Sequence, residues 1–137
     1  MEHAAHHFPS PEELASRLGL LDDRLRELSG GRTALLPVTK AFGADAVRAV
    51  LATGRTDVGE NYAQELVGKH LELEADEPEG TAPSARWHMI GGVQRNKVRR
   101  LAGIVSLWQT VDRADLVDEL VRRAPGARIL VQVDPAG

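Results

Sequence analysis

No cysteine occurs anywhere in the 137 residues, which excludes a disulfide framework and thiolate chemistry. An excess of positive charge is missing too. Seventeen Lys and Arg against twenty Asp and Glu leave a formal charge of −3 and a pI near 5.9. The chain projects no global field for gathering polyanions, so neither nucleic acid nor a membrane surface is an expected partner. No apolar run approaches the roughly 18 residues of a membrane span. The first eleven residues carry Glu2, His3, His6 and His7 where a signal peptide would have its apolar segment. These absences together point to a cytoplasmic soluble protein. A Gly-x-Gly-x-x-Gly turn and a Walker A loop are also lacking, which removes the usual nucleotide-binding signs of doubly wound α/β proteins.

What is present has the size and the 42% hydrophobic content of one globular domain. After a leader over residues 1–9, expected to be disordered, Ser10-Pro11-Glu12-Glu13 supplies an N-cap hydroxyl, a proline at the first helical position and acids in the first turn. Leu14, Leu18, Leu21, Leu25 and Leu28 then recur at helical spacing up to Gly30-Gly31. From there strand and helix signals alternate. Strands are predicted over 33–40, 56–59, 87–90, 104–110 and 128–133. Helices are predicted over 44–52, 61–74, 94–101 and 113–123, with an acidic, proline-bearing loop over 75–84. Strict alternation with short connections implies right-handed crossovers and a parallel sheet, either doubly wound or closed into a barrel. Periodicity does not separate the two.

In parallel α/β folds the ligand site forms beyond the carboxyl ends of the strands, so polar residues there are the candidates. Lys40 closes the first strand, Gly59-Glu60-Asn61-Tyr62 follows the second, His88 and Gly91-Gly92 close the third, and Asp112 follows the fourth. A lysine at a strand end is usually solvated or ion-paired; at the mouth of a sheet, partly withdrawn from water, its free amine becomes a nucleophile. Glu60 can simply complement a helix dipole, and His88 on an apolar strand is more often a satisfied core histidine than a catalytic one. The basic stretch Gln94 to Arg100 lacks interleaved aromatics and reads as a solvated helix face. His3, His6 and His7 have no partner in a fixed frame, so no metal site is expected. Trp108 and Leu107 read as core.

These clusters resemble the pyridoxal phosphate homeostasis (YggS-type) protein family, which shares its barrel with the N-terminal domain of alanine racemase. The resemblance lies in Val38-Thr39-Lys40, in Gly59-Glu60-Asn61-Tyr62-Ala63-Gln64-Glu65, and in Trp87-His88-Met89-Ile90-Gly91 running into Gln94, Asn96 and Lys97. Thr110-Val111-Asp112-Arg113 and Val131-Gln132-Val133-Asp134 extend it to the fourth and fifth strand ends. It implies a TIM-type (β/α) barrel, here an incomplete one of five strands over residues 10–137. It also implies pyridoxal 5'-phosphate as cofactor, held as a Schiff base on Lys40 with Asn61 and His88 near the ring. The implied role is that of a cofactor carrier or regulator, monomeric when complete, with no catalytic residues assigned. The alternatives are a racemase-like enzyme, which would need an opposed second acid or base, and a fragment that binds nothing. Pro37, Gly92 and Arg95 depart from the family pattern. The family's phosphate-binding glycine and serine motifs belong to strands later than the fifth.

Overall fold

The computed structural model describes residues 9–78 and 85–136. The expected leader therefore lies, except for Pro9, outside the described residues, and so does most of the acidic loop. Helix α1 (Pro11–Ser29) begins as its sequence dictates. Ser10 Oγ accepts from the Glu13 amide at 3.2 Å, and Glu13 accepts from the Ser10 amide at 3.1 Å. This reciprocal pairing satisfies two donors that a helix start otherwise leaves open. Gly30 ends the helix at φ 59°, and its amide donates to the Arg26 carbonyl. Of the leucine stripe only Leu18 is fully buried; Leu21 and Leu28 stay exposed.

Helix α2 (Ala44–Ala52) buries Ala44, Ala46, Val47, Ala49 and Val50. Strand β1 (Asp57–Glu60), helix α3 (Ala63–Asp76), strand β2 (Arg86–Met89), helix α4 (Arg95–Leu101), strand β3 (Val105–Val111), helix α5 (Ala114–Arg123) and strand β4 (Ile129–Val131) follow in strict alternation. The four strands are parallel and ordered β1-β2-β3-β4. An order that never reverses, joined by right-handed crossovers, stacks every crossover helix on one face of the sheet. A doubly wound sheet reverses its order and covers both faces. This sheet is therefore a stretch of barrel wall.

Alternation along the strands divides the side chains accordingly. Val58, Trp87, Met89 and Trp108 are almost wholly buried and join Leu66, Val98, Leu101 and Leu116 from the helices in one core. The other face carries Gly59, His88, Leu107 and Gln109. It borders a hollow lined by those strands and by Ala34, Leu35 and Leu36, with no helical residue.

The strand expected over 33–40 is reduced to a single parallel bridge, Val38 with Gly59. Gly59 donates to the Pro37 carbonyl at 2.8 Å, and Thr39 donates to the Gly59 carbonyl at 3.1 Å. The next bond of such a ladder would run from the amide of residue 37 to the carbonyl of Asp57, and proline has no hydrogen to give. Pairing therefore starts only beyond Pro37, so the sheet holds four strands and one bridge where five strands were expected. Among the described residues no helix is long and apolar enough to cross a membrane.

Candidate functional site

The pairing register sets the candidates in rows. Val38, Gly59, His88 and Leu107 lie side by side across the sheet. Two residues further along, Lys40, Asn61 and Ile90 continue the same parity toward the carboxyl ends. Gly59 shows how crowded the face beneath them is: a Cβ there would stand 3.2 Å from Leu36 and Val38 and 3.4 Å from Ile90. Lys40 sits in the turn beyond the bridge and is exposed; among the described residues its amine has no hydrogen-bond or ion-pair partner.

The backbone on either side of Lys40 is tied down. Glu60, the last residue of β1, points by alternation to the helix side and is fully buried. There it forms an ion pair with Lys69 of α3, whose side chain is 6% exposed, and accepts from Thr39 Oγ1 at 2.7 Å. Lys69 also donates to the Thr39 carbonyl at 2.9 Å and lies 3.6 Å from Glu65. Glu65 in turn accepts from the amide of Ala41 at 3.2 Å. Sequence reasoning missed this cluster, having treated Glu60 as a dipole partner and assigned Lys69 no role. A signal was present: Lys69 falls between Leu66 and Leu73 on the buried stripe of α3, where a charge requires a buried counter-charge.

Asn61 is placed by Gly91. A Cβ at residue 91 would lie 1.8 Å from the Asn61 carbonyl oxygen, so only glycine allows the loop after β2 to lie against the loop after β1. The Gly91 carbonyl accepts from Thr110 Oγ1 at 2.5 Å, and the Val93 carbonyl accepts from Arg113 at 2.5 Å. Three successive strand ends are thereby locked together. Beside them opens a cleft of about 800 Å³ lined by Asn61, Tyr62, Ala63, Gln64, Glu65, Gly92, Gln94 and Lys97. Neither Lys40 nor His88 lines that cleft.

His88 lies one pleat deeper than Asn61 on the open face. Its Nε2 is 3.0 Å from Asp57 and its Nδ1 is 2.9 Å from Gln109 Nε2. A neutral ring protonated on Nε2 donates to the carboxylate and accepts from the amide, which satisfies both nitrogens. Asp112 pairs with Arg113 at 2.8 Å. In the basic stretch Arg95 reaches Asp115 and Glu119 at 3.9 Å, whereas Arg99 and Arg100 are exposed.

Fold and site together define a segment of (β/α) barrel wall with a free lysine just beyond its first strand position and an asparagine beyond its second. No family model matches the chain. The pyridoxal phosphate homeostasis protein of Pseudomonas aeruginosa is 35% identical over 134 residues, covering 90% of this chain and 55% of that protein. The mouse protein of the same name is 31% identical over 124 residues, covering 83% of this chain and 43% of its own length. Among solved structures, PipY of Synechococcus elongatus PCC7942, determined with PLP bound, superposes with a TM-score of 0.74 at 30% identity. That match covers 89% of this chain and 55% of PipY. The resemblance read from the motifs thus extends to overall sequence and to fold, and the chain spans about half the length of the relatives it matches.

Proposed function

We propose that this chain binds pyridoxal 5'-phosphate in intracellular PLP homeostasis, with Lys40 carrying the cofactor as a Schiff base and Asn61 and His88 lining the ring. One observation carries the reading: the Lys40 amine stands at the carboxyl end of a parallel sheet with no partner among the described residues, while Lys69, close by in the fold, is consumed by two carboxylates. An unpaired amine at that end of the sheet is the donor that condensation with an aldehyde requires. The similarity to PLP homeostasis proteins and to PLP-bound PipY supports the identity of the aldehyde.

When bound, the cofactor supplies an aldehyde carbon with which a neutral lysine amine condenses, releasing water. The chain's own part is to present that amine, to pack Leu36, Val38 and Ile90 around Gly59 on the same face of the sheet, and to hold Asn61 through Gly91. A carrier or regulator acting in the cytoplasm as a monomer, with no turnover of its own, is the form the proposal takes. A racemase-like enzyme would need an opposed acid or base, and the single tyrosine, Tyr62, is 56% exposed beside α3.

The experiment is a titration with pyridoxal phosphate followed by borohydride reduction and peptide mapping. A visible absorption band and a label on Lys40 are expected, both lost in Lys40→Ala. A label shared among Lys69 and Lys97 and unchanged in Lys40→Ala would overturn the assignment.

A further inference from the structure

We infer that the cluster of buried Glu60 and Lys69 with the partly exposed Glu65 is a positioning device for the Lys40 amine, an inference that rests on the function proposed above. The cluster grips the backbone immediately before and after Lys40. On the near side, Thr39 is held twice: its carbonyl accepts from Lys69 at 2.9 Å and its hydroxyl donates to Glu60 at 2.7 Å. On the far side, the amide of Ala41 donates to Glu65 at 3.2 Å. Ala41 has φ 66°, a left-handed conformation that alanine rarely takes and that must be maintained by its surroundings. Two observed contacts do so: the Phe42 amide donates to the Thr39 carbonyl at 3.1 Å, closing the turn around Lys40 and Ala41, and the Ala41 amide donates to Glu65.

The cluster is not what closes the core. An ion pair whose members are 0% and 6% exposed is weak support for stability, because desolvation offsets most of the Coulombic gain and apolar residues of the same volume would serve as well. It does, however, fix a geometry: Lys69 can satisfy Glu60, Glu65 and the Thr39 carbonyl together only with the turn in one place. Its ammonium is hydrogen-bonded to Glu60 and to the Thr39 carbonyl and ion-paired with Glu65 at 3.6 Å, which leaves Lys40 as the free amine nearby. Glu60 and Lys69 are therefore positioning residues acting through Thr39, and Glu65 acts through Ala41.

The test uses the whole chain in four forms: wild type, Glu65→Ala, Glu65→Gln, and the double substitution Glu60→Gln with Lys69→Met. The double form removes both buried charges together and so keeps the experiment informative if a single buried substitution fails to fold. Hydrogen exchange at the Ala41 amide reads the order of the turn without any cofactor. The rate of Lys40 labelling by pyridoxal phosphate and borohydride, measured across pH, reads the consequence. Glu65→Ala should speed Ala41 exchange and slow Lys40 labelling by about tenfold each. Glu65→Gln keeps an acceptor oxygen and should recover most of both, and the double form should slow labelling with little change in melting temperature. Ala41 exchange unchanged in Glu65→Ala, or exchange raised with Lys40 labelling untouched, overturns the inference. Absence of a Lys40 label in the wild type counts against the proposed function instead, and Ala41 exchange then decides the positioning role alone.

Discussion

Two glycines next to each other in sequence separate steric need from coincidence at the scale of single residues. A methyl group at Gly91 would overlap the Asn61 carbonyl, whereas one at Gly92 would meet nothing within 4 Å. Gly91→Ala should lower stability by about 1–3 kcal/mol, because the two loops must move apart. Gly92→Ala should change stability by no more than about 0.5 kcal/mol. Urea denaturation of the two variants checks this, and equal effects would show that the loops yield without cost. The buried pair allows a sharper contrast. Lys69→Met leaves the Glu60 carboxylate buried without its counter-charge and should cost about 3–5 kcal/mol, while adding Glu60→Gln should restore most of that loss. A double form as unstable as the single would mean that packing volume, not charge, is what Lys69 provides.

Elements differ in how far their own residues specify them. Helix α1 carries its start signal within four residues, and Ser10→Ala should cost about 1 kcal/mol by removing the acceptor for the Glu13 amide. Thermal unfolding followed by circular dichroism measures it; a melting temperature identical to wild type would mean that α1 frays without consequence for the fold. Helix α2 was legible to the residue over Ala44–Ala52, because its apolar positions recur at helical spacing and Gly54 stops it. The segment before Lys40 was not. Its apolar run of strand length reads as a strand in spite of Pro37, whose missing amide, together with a single paired neighbour, leaves one bridge. Strand length depends on the partner strand, which lies some twenty residues away.

At the largest scale, the described residues form a barrel wall with one face covered by helices and the other lined by His88, Leu107 and Gln109. Leu130, Val131 and Val133, in and just after the outermost strand, are half to three-quarters exposed, an apolar edge of the kind that pairs with another strand. The relatives are nearly twice as long, and the phosphate-binding motifs that the resemblance implies lie in later strands. Pyridoxal phosphate should therefore bind this chain more weakly than one extended by three further strands. Each charge-assisted hydrogen bond to a phosphate contributes about 1.5–3 kcal/mol, so two of them account for a factor on the order of a hundred or more. Titration of the two chains side by side tests this, with sedimentation to confirm the oligomeric state. Equal affinities would place the phosphate grip within residues 1–137.

The sequence alone determined the alternation of strands and helices, their parallel arrangement, the capped start of α1, and the placing of Lys40, Asn61 and His88 at or near strand ends. All of these follow from interactions between residues a few positions apart or from the handedness of the chain. Periodicity left the winding of the sheet open and the motif resemblance already implied a barrel; only the tertiary structure decided that Gly91 must lack a side chain, and that of two nearby lysines Lys69 is buried and Lys40 free. Those outcomes depend on contacts between residues 9 to 30 positions apart in the chain, such as Thr39 with Glu60 and Lys69 with Thr39. Local periodicity shows which face of α3 is buried, but the register of β1 against that helix determines which carboxylate its lysine meets.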